Sequence, residues 1–283
     1  MESISYQGFP DCFRLRNDEV EVVVSTSFGP RILKYSLIDG ENILGEHFAA
    51  AVTTSLGEWK PYGGHRLWIA PEHMPNSYTP DNSPIAFEIG RNDLAIHLIQ
   101  PLETVTRTQK ELTVTLEKEG SSVELIHKIT NHGNNAVRFS AWALTIMRGG
   151  GVCEIPNEVF EPYGPETLLP VRNLTCWSYT DFSDSRWQFD RDFIRFRVDE
   201  TRHEPQKIGV LNKQGWAAYT WQNLRFTKSF PFLEGAEYPD LNSNMEIYSA
   251  GGFVEVESLS PLQTLAPQES LTHTETWKLE KIS

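Results

Sequence analysis

The chain has 283 residues, 39% of them apolar, and a mean hydropathy of −0.39. It can bury a large core, and no window approaches the ~18 apolar residues that a membrane-spanning helix needs. A formal charge of −13, with no Lys/Arg cluster, argues against a nucleic-acid backbone or an anionic membrane as partner.

Strand-like runs follow one another from end to end. They fall at 20–25, 31–37, 94–99, 112–117, 123–130, 138–146, 193–198, 208–212, 216–221, 245–249, 253–259 and 272–279. They are short, rich in Val, Ile, Thr and aromatic residues, and separated by turn clusters such as K-E-G-S-S and N-H-G-N-N. No stretch sustains the apolar spacing of a helix over three turns. Residues 71–84, rich in proline, and 160–191 are expected to be long loops. The pattern predicts an all-β chain, a large antiparallel two-sheet sandwich forming one domain over residues 1–283. Cys12, Cys153 and Cys176 are far apart and odd in number. They suggest neither a disulfide framework nor a metal knuckle, and the N-terminus carries no secretion signal, so a reducing cytoplasm is the expected compartment.

Two late runs carry carboxylates where strands usually carry apolar residues. In N-M-E-I-Y, Asn244, Glu246 and Tyr248 share a face; in V-E-V-E, Glu255 and Glu257 do. Such a face is either solvated surface or the floor of a cleft for a polar ligand. Glu255 and Glu257 stand about 7 Å apart on one strand, so each raises the pKa of the other, most for the more buried one.

Several segments in order resemble the galactose mutarotase (aldose 1-epimerase)-like superfamily, and more closely a bacterial branch of it. They are S-F-G-P-R-I-L-K-Y-S-L, Y-G-G-H-R-L-W-I-A-P-E, H-K-I-T-N-H-G-N-N-A-V-R-F-S-A-W-A-L and E-V-E-S-L-S-P-L. The resemblance covers nearly the whole chain. It implies a β-supersandwich with one concave carbohydrate-binding cleft. It also implies, in mutarotases, a Glu general base and a His general acid acting on one sugar ring. By position Glu257 matches the base. His65 and Arg66 fall where relatives place cleft residues, but an extended segment points them to opposite faces, so only one is expected to reach the cleft. Active mutarotases carry a His-x-Tyr-Phe-like motif after the T-N-x-G hairpin; here the stretch is W-A-L-T-I-M-R-G-G-G, without histidine. A mutarotase reading therefore needs His65 or His73 as the acid.

The candidate catalytic residues are Glu257 and His65. The candidate sugar-binding residues are Arg66, Glu255, Asn244, Glu246, Arg148, Trp68 and Lys228. Trp68 is a sugar platform or a core residue. Arg148 receives a carboxylate or phosphate on a sugar, or forms a plain salt bridge. Lys228 neutralises the acidic cleft. His65, Glu72 and His73 match no familiar zinc spacing, so no metal is expected, and no cofactor. The expected partner is a small-molecule sugar, and the expected assembly a monomer or homodimer. Three functions stay open: a mutarotase or epimerase, a non-catalytic carbohydrate-binding protein, and a sugar lyase or hydrolase.

Overall fold

The computed structural model describes residues 1–47, 50–90 and 92–282. Two large antiparallel sheets dominate. The first runs Glu2–Tyr6, Phe9–Arg16, Val20–Ser25, Arg31–Leu37, His65–Ala70, Val137–Met147, Val254–Leu259, Met245–Ser249, Gln206–Val210 and Leu174–Cys176, with Gln263–Leu265 pairing the start of Val137–Met147. The second runs Ala86–Ile89, Ala95–Ile99, Thr108–Leu116, Val123–Asn131, Ser270–Lys281, Leu224–Ser229, Trp216–Trp221, Val152–Pro156, Phe193–Arg197 and Trp187–Phe189.

The main core lies between the sheets. Val22, Ile247 and Val256 of the first pack with Leu125, Phe226 and Trp277 of the second. Alternation along each strand makes this possible: every second side chain of the central strands turns inward. The expected strands at 20–25, 31–37, 216–221 and 245–249 appear with those bounds, and the others within a few residues. Residues 71–84 are irregular apart from a short 3-10 turn at Asn76–Tyr78. The long loop expected at 160–191 is interrupted by strands Leu174–Cys176 and Trp187–Phe189. These three-residue strands are too short to show alternation, which hid them from the sequence.

One backbone feature sets up the cleft. Gly63 and Gly64 have positive φ, 96° and 65°. A Cβ on Gly64 would lie 1.9 Å from the Ile32 carbonyl oxygen, and one on Gly63 2.2 Å from that of Gly45. Only glycine lets the chain pass this closely before entering His65–Ala70.

Candidate functional site

Register across five central strands assembles a polar floor. Arg66 lies opposite Leu144, Leu144 opposite Glu257, Glu257 opposite Glu246 and Glu246 opposite Gly209. A second row runs Lys207, Tyr248, Glu255. Trp68 opposes Trp142. Residues two apart share a face, so these side chains emerge on one side of the first sheet, away from the main core. The carboxylate face is thus the floor of a cavity and not solvated surface: Glu255 is 6% exposed, Glu246 and Glu257 0%.

The cavity has a volume of about 550 Å³. Its floor carries Arg66, Lys207, Glu255 and Glu257, and Glu72 stands at its wall. Its aromatic walls come from Trp59, Trp68, Tyr78, Trp142, Trp177, Tyr179, Tyr248 and Phe253. The loop 71–84 supplies Tyr78, whose hydroxyl donates to Glu72 Oε1 at 2.5 Å. The segment after Leu174–Cys176 supplies Trp177 and Tyr179; burial pushes the Tyr179 phenol up to about 12.

The charges are internally matched. Arg66 Nη2 donates to Glu255 Oε1 at 3.0 Å, and its guanidinium lies 4.6 Å from the Trp68 ring centre. Lys207 Nζ sits 2.7 Å from Glu246 Oε2 and 3.3 Å from Glu257 Oε2, and 4.6 Å from the ring centres of both Trp142 and Trp177. Burial opposes the ammonium, but Glu246 and Glu257 outweigh it and hold the Lys207 pKa well above the usual lysine value. Burial raises Glu246 and Glu255 above the ordinary carboxylate range, and the nearby charge of Glu257 adds to both. Glu257 Oε2 also accepts from Trp142 Nε1 at 2.8 Å. The N–H that Glu257 Oε2 accepts is that of an indole, which does not titrate.

Some buried polar atoms at the site have no hydrogen-bond partner among the described residues. They include Glu257 Oε1, Arg66 Nε and Nη1, and Trp59 Nε1. Buried polar groups in folded proteins are normally paired. The open acceptor of Glu257 and the open donors of Arg66 and Trp59 all belong to residues that line one cavity.

The remaining candidates fall elsewhere. Asn244 is structural: its Oδ1 accepts from Asn212 N at 2.6 Å and its Nδ2 donates to Asn212 O at 3.0 Å. Glu246 lies beneath Lys207 and does not line the cavity. Arg148 is outside it, paired with Glu41 at 2.9 Å and stacked 3.6 Å from the Trp221 ring centre. His73 is exposed and does not line the cavity.

His65 and Lys228 require correction: both lie on the far side of the first sheet, in a polar core between the sheets. His65 is one residue out of phase with Arg66, so its side chain points away from Glu257. His127 Nδ1–H donates to the His273 carbonyl at 2.9 Å, which leaves His127 Nε2 to accept from His65 Nε2–H at 2.7 Å. His65 Nδ1 then accepts from the Thr145 hydroxyl at 2.9 Å. Burial holds both imidazoles below the usual histidine range. Lys228 Nζ meets Glu275 Oε1 at 2.9 Å and donates to the carbonyls of Ala143 at 3.1 Å and Val256 at 2.9 Å. Ser258 and Trp277 donate to Glu275 at 2.5 and 2.9 Å. One atom each from His65, His127 and Glu275 lie within 4.8 Å of one another. They are engaged in these bonds, and the Lys228 ammonium stands beside the carboxylate where a cation would bind. Lys228 thus braces from behind the strands that carry Leu144 and Glu257.

Sequence reading missed Lys207, Trp142 as a partner of Glu257, and the aromatic walls other than Trp68. Lys207 stands in Q-K-I-G-V, where a lone lysine in a short strand looks like a solvated position.

No protein-family model matches the chain, and no curated protein matches it by sequence. Solved structures do match. A galactose mutarotase-like protein from Lactobacillus casei aligns over 95% of this chain and 100% of its own, with TM-score 0.56 at 10% identity. A galactose mutarotase related enzyme from Lactobacillus acidophilus aligns over 96% and 98%, with TM-score 0.59 at 8% identity. The chain has the galactose mutarotase-like fold. The same fold lies within a TPR-domain containing protein from Parabacteroides distasonis. There 95% of this chain aligns with TM-score 0.61 at 11% identity, and it spans 46% of that longer protein. No helix of the described residues is long and apolar enough to cross a membrane.

Proposed function

We propose that this mutarotase-like chain is a carbohydrate-binding protein whose cleft receives a neutral sugar, with Glu257 accepting a ligand hydroxyl. The observation that carries this reading is the Glu257 carboxylate, fully buried at the floor of a cavity of about 550 Å³ with aromatic walls, whose Oε1 has no hydrogen-bond partner among the described residues. Leaving such an atom unpaired costs about 1–3 kcal/mol or more, which a sugar hydroxyl would offset. Arg66 Nε, Arg66 Nη1 and Trp59 Nε1 offer donors to hydroxyl or ring oxygens of the same ligand. The aromatic walls suit the C–H faces of a sugar ring. Neutrality follows from the pairing: Arg66 and Lys207 are already matched by carboxylates. Arg148, the expected anion receptor, lies outside the cavity and is paired with Glu41.

Binding without turnover stands first because general acid–base mutarotation needs a proton donor opposite the base. Among the described residues no histidine lines the cavity. One observation favours a second reading, an aldose 1-epimerase. Lys207 Nζ lies 3.3 Å from Glu257 Oε2, so an ammonium donor and a carboxylate base occupy one site. The raised pKa of Lys207 makes it a poor acid at neutral pH, which ranks this reading second.

Isothermal titration with neutral aldoses and oligosaccharides, paired with polarimetry, tests both. Saturable binding is expected in the wild type, at least about tenfold weaker in Glu257→Gln, a change near the 1.4 kcal/mol of one hydrogen bond to a charged group. Anomer interconversion at the spontaneous rate is expected for both proteins. A catalysed rate that disappears in Glu257→Gln would put the epimerase first. No binding of any sugar would overturn both readings.

A further inference from the structure

Beside the cleft lies a second cavity of about 680 Å³. Its walls are mainly polar: Asn42, Glu46, His47, Arg148 and Glu200 line it, with Trp221 below Arg148. Phe253 lines both cavities, so the two adjoin at its side chain. The Phe253 ring is held on the cleft side by Tyr248, with ring centres 6.3 Å apart. On the other side it is held by His47, at 4.5 Å. It follows directly on the Ala250-Gly251-Gly252 turn between Met245–Ser249 and Val254–Leu259, and Gly251 has φ of 108°.

We propose that the second cavity is a further sugar subsite, and that the ligand is an oligosaccharide of at least two units laid across Phe253. One unit occupies the aromatic cleft and the next the polar cavity around Arg148. This deepens the carbohydrate reading and rests on it.

The chemistry of the second cavity suits a hydroxyl-rich, uncharged unit. Its charges are largely matched within the protein. Arg148 pairs with Glu41 and donates to the Asn42 carbonyl at 3.0 Å. Glu46 accepts from the Tyr6 hydroxyl at 2.9 Å and from Gln7 Nε2 at 3.0 Å. A charged group would disturb these pairs, while hydroxyls can add to their open lone pairs and N–H groups. The Arg148 guanidinium lies 3.6 Å from the Trp221 ring centre and is paired with Glu41, which restrains it and lowers the entropy lost on binding. The Phe253 ring, where the aromatic cleft meets the polar cavity, offers an apolar surface to the C–H groups beside a glycosidic linkage.

The test is calorimetric titration of wild type and Arg148→Ala with glucose, galactose and mannose, and with their β- and α-linked di- and trisaccharides. Thermal melting of both proteins checks folding. At least tenfold tighter binding of one disaccharide series than of its monosaccharide is expected in the wild type. Arg148→Ala should bring the disaccharide down to the monosaccharide affinity and leave the monosaccharide unchanged. Equal affinities for monosaccharide and disaccharide in the wild type would overturn the second subsite while leaving the carbohydrate reading intact. So would an equal loss for both ligands in Arg148→Ala. No binding of any of these sugars would overturn the carbohydrate reading and the subsite with it. If Arg148→Ala melts early, Arg148→Lys, which keeps the charge but loses the planar stack, serves in its place with the same expected pattern.

Discussion

Trp142 does two things for Glu257 at once. Its indole N–H donates to Glu257 Oε2 at 2.8 Å, and its ring lies 4.6 Å from the Lys207 ammonium that faces the same oxygen. The carboxylate is therefore fixed in orientation through Oε2, with Oε1 left unpaired. Trp142→Phe removes the N–H and narrows the ring. A buried carboxylate that loses one donor costs about 1–3 kcal/mol, and the void left by the smaller ring adds to it. Denaturant unfolding should show a loss of about 2–4 kcal/mol, and sugar affinity should fall with it, because Glu257 is freed to rotate toward Lys207. An unchanged denaturation midpoint would mean that the indole bond contributes nothing to holding the carboxylate.

At the scale of strands, alternation explains both what the sequence disclosed and what it hid. The shared face of Glu255 and Glu257, and of Glu246 and Tyr248, was legible from period two alone, as was the opposition of His65 and Arg66. Which of those two enters the cleft was not legible, because the phase of a strand depends on its neighbours' register, here Thr145 opposite His65 and Leu144 opposite Arg66. Lys228 was misplaced for a related reason. It stands in L-R-F-T-K-S, and its inward direction follows from pairing with Trp277, whose partners lie far along the chain. A fully buried lysine also defies the usual expectation that lysine is exposed. Its function between the sheets gives a prediction. Lys228→Met leaves Glu275 buried without its cation, and breaking a buried pair costs about 3–5 kcal/mol. Urea denaturation should show that loss, and Lys228→Met combined with Glu275→Leu should recover part of it. A double variant less stable than the single one would show that the remaining donors of Ser258 and Trp277 need the carboxylate more than the carboxylate needs the lysine.

For the whole molecule, the two faces of the first sheet pull stability in opposite directions as pH changes. In the inter-sheet core burial keeps His65, His127 and His273 below their ordinary 6.5, His273 down to about 3. As the pH falls below 6.5 the unfolded chain takes up protons at these sites and the fold does not, so stability falls. In the cleft, burial raises Glu246 and Glu255 above their ordinary 4.5. There the fold takes up protons that the unfolded chain does not, so stability rises as the pH falls through their raised values and stops changing below 4.5. The two contributions oppose one another: acidification through the raised values of Glu246 and Glu255 adds stability, and acidification below 6.5 removes it at the histidines, each group by up to about 1.4 kcal/mol per pH unit. Below 4.5 the carboxylate contribution is exhausted. Glu275 then joins the histidines: burial opposes its charge, but Lys228 outweighs burial and holds its pKa below the ordinary value, so its stabilisation is lost on further acidification. The histidines and Glu275 then act in the same direction, each by up to about 1.4 kcal/mol per pH unit while only the unfolded chain takes up its proton. Denaturant midpoints measured from pH 8 to 3.5 should fall most steeply below 4.5, where Glu246 and Glu255 no longer offset the histidines and Glu275. His273→Gln should flatten that acid limb, and Glu246→Gln should remove part of the gain on acidification above 4.5. A His273→Gln variant whose midpoints fall as steeply as those of the wild type below 4.5 would show that His273 takes up its proton in the fold as readily as in the unfolded chain.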